Sequence, residues 1–156
     1  MKLSVIIVNY NVKYFVEQCI HSVINGTKDI PSEIIVIDNN SADGSCQMIK
    51  HKFPNVTLIE NKENTGFSKA NNQGINIAKG EYILLLNPDT LVEEDTFAKS
   101  IQYMDAHKNA GGLGVKMIDG KGNFLPESKR GIPTPWVAFC KIFGLSSLFP
   151  KSKLFG

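Results

Sequence analysis

Apolar runs of strand length alternate with helical apolar faces over roughly the first three quarters of the chain. Leu3 to Val8 is the first such run, rich in β-branched residues, and polar Asn9, Tyr10 and Asn11 end it. Val12, Phe15, Val16, Cys19, Ile20, Val23 and Ile24 then recur at the spacing of one helix face. Ile34 to Ile37 predicts a second strand, Asp43 to Lys52 a short helix, and Val56 to Ile59 a third strand. Phe67, Ala70, Gly74, Ile75 and Ala78 mark a third helix, which Lys79-Gly80 terminates. Tyr82 to Leu86 predicts the fourth strand. Glu93 to His107 predicts the fourth helix, with Phe97, Ile101 and Met104 inward and an acidic first turn. Strands that are apolar throughout and separated by helices imply a mostly parallel sheet covered on both faces, an α/β doubly wound fold.

The pattern changes after Gly111. Gly112 to Ile118 reads as a further strand, and Asp119-Gly120-Lys121-Gly122-Asn123 as a hairpin turn. From Gly131 onward the chain is rich in proline, glycine and aromatics, and no helix–strand unit is predicted there. The boundary therefore falls between a core over residues 1–130 and a separate segment over 131–156.

Composition narrows the class without choosing a function. The 156 residues, 42% hydrophobic and 21% charged, suit one soluble globular core. A net charge of +2, with no basic run interleaved with aromatics, gives no footprint for nucleic acid. The three cysteines (Cys19, Cys46, Cys140) form no C-x-x-C pair and the histidines are scattered, so there is no zinc pattern and reduced, cytosolic thiols are expected. The first apolar run is too short for a signal-peptide core or a membrane span.

The candidate chemistry gathers where the predicted strands end. Asn9-Tyr10-Asn11, Asp38-Asn39-Asn40 and Asn87-Pro88-Asp89-Thr90 follow the first, second and fourth strands, and Glu63-Asn64-Thr65-Gly66 leads into the third helix. In a doubly wound sheet these loops project into one crevice. The Asp89 carboxylate there suits a hard divalent cation shared with substrate phosphates. The same residues also make good turns, and Ser41 or Asp43 can serve as a helix cap. Neither G-x-G-x-x-G nor G-x-x-x-x-G-K-[ST] is present, which argues against a dinucleotide fold and a P-loop. A nucleotide would be held instead by side-chain carboxylate and amide groups, strand-end backbone and a metal. Asp38 can only accept a hydrogen bond, whereas Asn39 both donates and accepts.

Four segments carry a resemblance, in order: Ser4 to Asn11 (SVIIVNYN), Ile35 to Ser45 (IVIDNNSADGS), Glu63 to Ile75 (ENTGFSKANNQGI) and Leu84 to Thr90 (LLLNPDT). Together they resemble the donor half of family 2 glycosyltransferases of GT-A fold, in a rhamnosyltransferase-like branch linked to cell-surface polysaccharide synthesis. The likeness covers Lys2 to about Trp136. It implies that Asp89 ligates Mn²⁺ or Mg²⁺ on the donor diphosphate, with Asn87 standing where the family's motif has another Asp. It implies that Asp38 and Asn39 read a uracil or thymine ring, and that Val8 and Tyr10 hold the nucleoside. Gly66 and Asn72 match an element beside the donor. Lys69 can reach a phosphate, although an exposed helix lysine is the commoner explanation.

The resemblance further implies an inverting transfer from a UDP- or dTDP-sugar to a saccharide or lipid-linked acceptor. Such a reaction needs a general base, and no residue here matches the family's base motif. The implied picture is a chain truncated to the donor-binding half, with residues 131–156 the start of the acceptor side or a loosely packed tail. That tail, Trp136 to Phe155, fits either a core stretch lacking its partner segment or a membrane surface, giving a cytoplasmic protein with possible peripheral contact at the inner face. A non-catalytic nucleotide-sugar-binding module and a nucleotidyltransferase remain as alternatives.

Overall fold

The computed structural model describes residues 1–125 and 135–143. The chain divides into two compact units, Met1–Asn109 and Ala110–Gly156. The boundary expected at 130/131 lies outside the described residues.

The first unit alternates strand and helix as the periodicity predicts: β1 (Leu3–Asn9), α1 (Lys13–Gly26), β2 (Ser32–Asp38), α2 (Ser45–Lys52), β3 (Thr57–Glu60), α3 (Phe67–Ile77), β4 (Tyr82–Leu86) and α4 (Thr96–Ala106). The strands form a four-stranded parallel sheet in the order β3-β2-β1-β4. Alternate residues of each strand serve opposite faces. Val5 and Ile7 pack with Val16, Ile20 and Val23 of α1, Ile49 of α2 and Phe97 of α4 on one face. Ile6, Val8, Ile35 and Ile37 pack with Ala70 of α3 on the other. The doubly wound α/β arrangement is therefore observed. It has one thin place, because Ile83 and Leu85 on β4 remain 45% and 47% exposed.

Close approach sets α3 against the sheet. A Cβ at Gly74 would lie 2.7 Å from Cγ2 of Ile6 and 2.9 Å from Cδ1 of Ile37, so glycine lets the helix settle onto β1 and β2. On α1 the predicted stripe is real in its centre only. Val16, Cys19, Ile20 and Val23 are buried, while Phe15 and Ile24 flank the stripe and face outward.

Three local expectations are corrected. The fourth helix begins at Thr96 rather than Glu93, so its acids precede the first turn instead of filling it. The segment before it is held by α1 through a hydrogen bond from the Val92 amide to the Ser22 hydroxyl (3.1 Å), which delays helix entry. The second helix starts at Ser45 because Gly44 adopts a left-handed conformation at φ 82°. Asp43 then accepts the first amide of both α1 and α2, from Lys13 (2.8 Å) and Ser45 (3.0 Å). Gly112 to Ile118 is not a strand. It is exposed, and only an isolated antiparallel bridge joins Ile118 to Phe124. Three glycines within Gly111 to Gly114 weaken any strand there, and a single hairpin has no face to bury.

The predicted turn at its tip does form. Asp119 accepts the amides of Lys121 and Asn123 through its side chain, both at 2.8 Å. The second unit also contains a helix that the sequence pattern did not predict, α5 (Pro135–Ile142). Proline at its first position explains why a Pro-rich stretch can open a helix. Its Trp136 and Phe139 rings stack, Phe143 packs tilted against Phe139, and all three are exposed.

Candidate functional site

The sheet order places a topological switch between β1 and β4. From β1 the chain runs outward through β2 and β3, then returns to β1's other side as β4. Open α/β sheets bind ligands at the carboxyl end of such a switch. The parallel register pairs Ile7 with Leu86 and Asn9 with Asp38. Val8 thus sits beside the point where β4 hands over to Asn87, and the three polar strand ends meet at one edge of the sheet.

Around Asp38 the polar groups are buried and joined. Asn9 is fully buried, and Asp38 and Asn39 are 1% and 2% exposed. Asn9 donates from Nδ2 to Oδ1 of Asp38 (2.7 Å) and to the Ser41 hydroxyl (3.2 Å), and the Ser41 amide donates to Oδ2 of Asp38 (2.7 Å). The Oδ1 atom of Asn9 is buried, with no hydrogen-bond partner among the described residues. The loop after β1 is tied to the loop after β2 by Asn11, whose amide donates to Ser41 and whose side chain accepts from the Ala42 amide. Asn11 and Asn40 hold left-handed backbones at φ 53° and 67°, a conformation asparagine tolerates better than most residues.

A second set of amides surrounds Asn39. Its Oδ1 accepts from Asn61 Nδ2 (2.9 Å) and from the Thr65 hydroxyl (3.2 Å), and its Nδ2 makes a long bond to the Gly66 carbonyl (3.4 Å). Asn61 and Gln73 exchange reciprocal amide bonds, each 2.9 Å. Gly66, at φ 80°, turns the chain into α3 in a backbone conformation that disfavours other residues. Val8, Asp38, Asn39 and Gly66 are thus brought into one bonded region. Asn9, Ser41, Asn61, Thr65 and Gln73 belong to it too, and the motif reading had not assigned them to the site. Their one visible signal was position, since Asn9 directly follows an apolar strand run and Asn61 follows another after Glu60.

The remaining expected residues are presented differently. Tyr10 on its loop, Lys69 and Asn72 on α3, and Asn87 and Asp89 after β4 are all exposed. The Asn87 carbonyl accepts from the Thr90 amide (3.2 Å) and weakly from the Cys19 thiol (3.6 Å). Burial pushes the Cys19 thiol up to about 12, and the negative charge of nearby Asp89 adds to the effect. Cys46 is likewise raised to about 12, first by burial and then by the Asp38 carboxylate. These thiols are neutral fillers rather than nucleophiles. Burial works to raise the Asp43 carboxyl, but the Ser45 hydroxyl and the helix amides outweigh it and hold the group low.

Among the described residues, no group of three or more His, Cys, Asp or Glu side chains converges to hold a metal. Asp89 could supply one oxygen to a cation whose other ligands came from phosphate and water, as Mg²⁺ and Mn²⁺ accept. A groove of about 710 Å³ lies between α1 and α2, lined by Lys13, Tyr14, Glu17, Gln47 and His51 among others; it includes none of the strand-end residues expected to bind a donor.

Comparison with known proteins agrees with this layout. Over 110 residues the chain is 38% identical to the minor teichoic acid biosynthesis protein GgaB of Bacillus subtilis, covering 68% of this chain and 12% of that protein. It is 34% identical over 134 residues to a poly(ribitol-phosphate) beta-glucosyltransferase of Bacillus spizizenii, covering 82% of this chain and 21% of the relative. The chain thus spans between about a tenth and a quarter of the length of these two relatives. Among solved structures, S. aureus TarS in complex with UDP-GlcNAc superposes with a TM-score of 0.67 at 25% identity, over 88% of this chain and 38% of that one. A mannosyltransferase from Pyrobaculum calidifontis, in complex with GDP-Man and Mn²⁺, gives 0.63 at 25% identity, over 74% and 36%. Both likenesses support the GT-A arrangement of the parallel sheet. The family model described as glycosyl transferase family 2 matches residues 4–151, and the chain belongs to that family.

Proposed function

We propose that this chain is the donor-binding part of an inverting glycosyltransferase that uses a UDP- or dTDP-linked sugar to build a cell-surface polysaccharide. The observation that carries the reading is the switch between β1 and β4, where buried polar strand ends meet the exposed Asp89. The relatives act in teichoic acid synthesis or glucosylate poly(ribitol phosphate), and TarS is seen with UDP-GlcNAc. These support a nucleotide-sugar donor here, and the proposed acceptor is a saccharide or a lipid-linked one.

In this reading Asp38, Asn39, Val8 and Tyr10 hold the nucleoside. Gly66, Lys69 and Asn72 border the diphosphate, and Asp89, beside Asn87, holds Mn²⁺ or Mg²⁺. A divalent cation supplies charge neutralisation for a departing diphosphate. The chain's own contribution is orientation: Asp38 and Asn39 are held by protein hydrogen bonds before any ligand arrives, so little reorganisation is needed on binding. No described residue is assigned as general base. A cytoplasmic location with peripheral contact at the inner membrane face suits the exposed aromatics of α5 and a lipid-linked acceptor. Among the described residues no helix is long and apolar enough to cross a membrane.

Thermal unfolding with a panel of UDP-, dTDP- and GDP-sugars, with and without Mn²⁺, tests the donor site. A uridine or thymidine species should raise the midpoint, and chelation should reduce the rise. A midpoint that no nucleotide moves would remove the main support for the reading.

A further inference from the structure

We propose that Asn61 and Gln73 are positioning residues that set which face of Asn39 the nucleobase meets, and so tune base preference; this rests on the donor-site reading above. The hydrogen bonds run in one direction. Both lone pairs of Asn39 Oδ1 are engaged, by Asn61 at 2.9 Å and Thr65 at 3.2 Å, while the Asn39 NH₂ lies toward the Gly66 carbonyl at 3.4 Å. A chain of side-chain amides is ambiguous in principle, because turning over every member at once keeps each pair matched. Here one end cannot turn over. The Gly66 carbonyl only accepts, so a reversed Asn39 would set oxygen against oxygen there. It would also bring its NH₂ against the NH₂ of Asn61.

The other end keeps that polarity. Asn61 and Gln73 hold each other through two reciprocal hydrogen bonds that match in either joint orientation, and donation from Asn61 to Asn39 Oδ1 selects the one seen. The Asn61 backbone amide donates to the Asp38 carbonyl (2.9 Å), which ties the end of β3 to β2. Asn39 is 2% exposed, and turning over to suit an arriving base would break its bonds to Asn61 and Gly66 where burial keeps water from replacing them. Its oxygen is spent, and one N–H is the hydrogen-bonding capacity left over. The base it favours is therefore one that presents a carbonyl oxygen to Asn39, as uracil and thymine do. An Asp at this position would instead accept from the ring N–H.

Thio-substituted nucleotides read this polarity, since sulfur accepts hydrogen bonds poorly. Affinities of UDP, 2-thio-UDP and 4-thio-UDP are measured by calorimetry for the full chain, for Asn61→Asp and for Gln73→Glu. In the unaltered chain, one of the two thio positions should weaken binding by about tenfold, the scale of one lost hydrogen bond. Asn61→Asp cannot donate to Asn39. It draws the Asn39 NH₂ toward itself, and the thio penalty should vanish. Gln73→Glu still accepts from Asn61 in its present orientation, and the penalty should persist. A role in stability alone would lower all three affinities together. A second measurement needs no variant: on adding UDP, the Asn39 side-chain NH₂ resonances should shift.

Binding with the same thio penalty in the chain and in Asn61→Asp would overturn the inference while leaving the donor site standing. Unmoved Asn39 side-chain resonances beside shifting backbone amides of the site would overturn it as well. If no nucleotide binds the unaltered chain, the donor reading fails and the inference with it.

Discussion

The two sides of the carboxyl edge of the sheet are built on different plans. On the β2, β3 and α3 side, Asp38 and Asn39 are almost wholly buried, and each polar atom meets a protein partner across two or three loops. On the β4 side, Asn87 and Asp89 are exposed, and the loop is tied down by little beyond a turn and a thiol contact. Desolvated, satisfied amides hold a shape before anything binds, at the cost of tolerance to change. An exposed carboxylate has its hydration intact and can be recruited by a cation and phosphates as they arrive. The contrast suits a ligand whose flat end needs a preformed socket and whose charged end brings its own metal.

Breaking the buried side should have the largest effect. Asp38→Ala removes the side-chain acceptor of the Ser41 amide and the nearer of the two acceptors of the Asn9 side-chain amide, and should cost about 3 kcal/mol of stability in urea unfolding. Gly74→Ala attacks the same side through packing. Its Cβ would press on Ile6 and Ile37 beneath α3, for a loss of about 1–3 kcal/mol by the same measurement. A loss well under 1 kcal/mol for Asp38→Ala would mean the buried network is ornamental.

The opposite end of the sheet sharpens the contrast through pH. The Tyr82 hydroxyl, then Lys2, hold the Asp105 carboxyl down at about 2, against an ordinary value of 3.8. A lowered carboxyl stabilises the fold above its unfolded pKa and loses that contribution as pH falls through the folded one. The contribution should therefore be complete above pH 4 and fade between about 4 and 2, and Asp105→Asn should flatten that part of the acid unfolding profile. The smallest stability effect belongs to Asp89→Ala. It should change unfolding by less than about 0.5 kcal/mol, as expected for an exposed side chain, while abolishing any metal-dependent stabilisation by nucleotide.

Much of this was legible in the sequence because burial leaves a periodic trace. The apolar runs at Val5 to Val8 and Ile34 to Ile37 located the parallel strands, and the polar residues directly after them located the bonded polar cluster at the carboxyl edge of the sheet. Helix starts were less legible. The entry to α4 depends on Ser22, distant in sequence, and the entry to α2 depends on a left-handed Gly44. Gly112 to Val115 carries apolar residues in a glycine-rich context, and local pattern alone cannot supply a pairing partner. The socket was legible only in part. Asn39 stands in a motif, but Asn61 reaches it across 22 residues and Gln73 reaches Asn61 across 12, all through side-chain amides, and such pairings leave no periodicity to read.

Under the proposed function, nucleotide and metal meet at the β1–β4 switch. Mn²⁺ is paramagnetic, so it broadens the NMR signals of nuclei close to it. With UDP and a trace of Mn²⁺, amide resonances of Asn87 to Thr90 and of Val8 to Tyr10 should broaden first, and Asp89→Ala should abolish the effect. Broadening that is absent, or that centres on the groove between α1 and α2 and survives Asp89→Ala, would contradict the account.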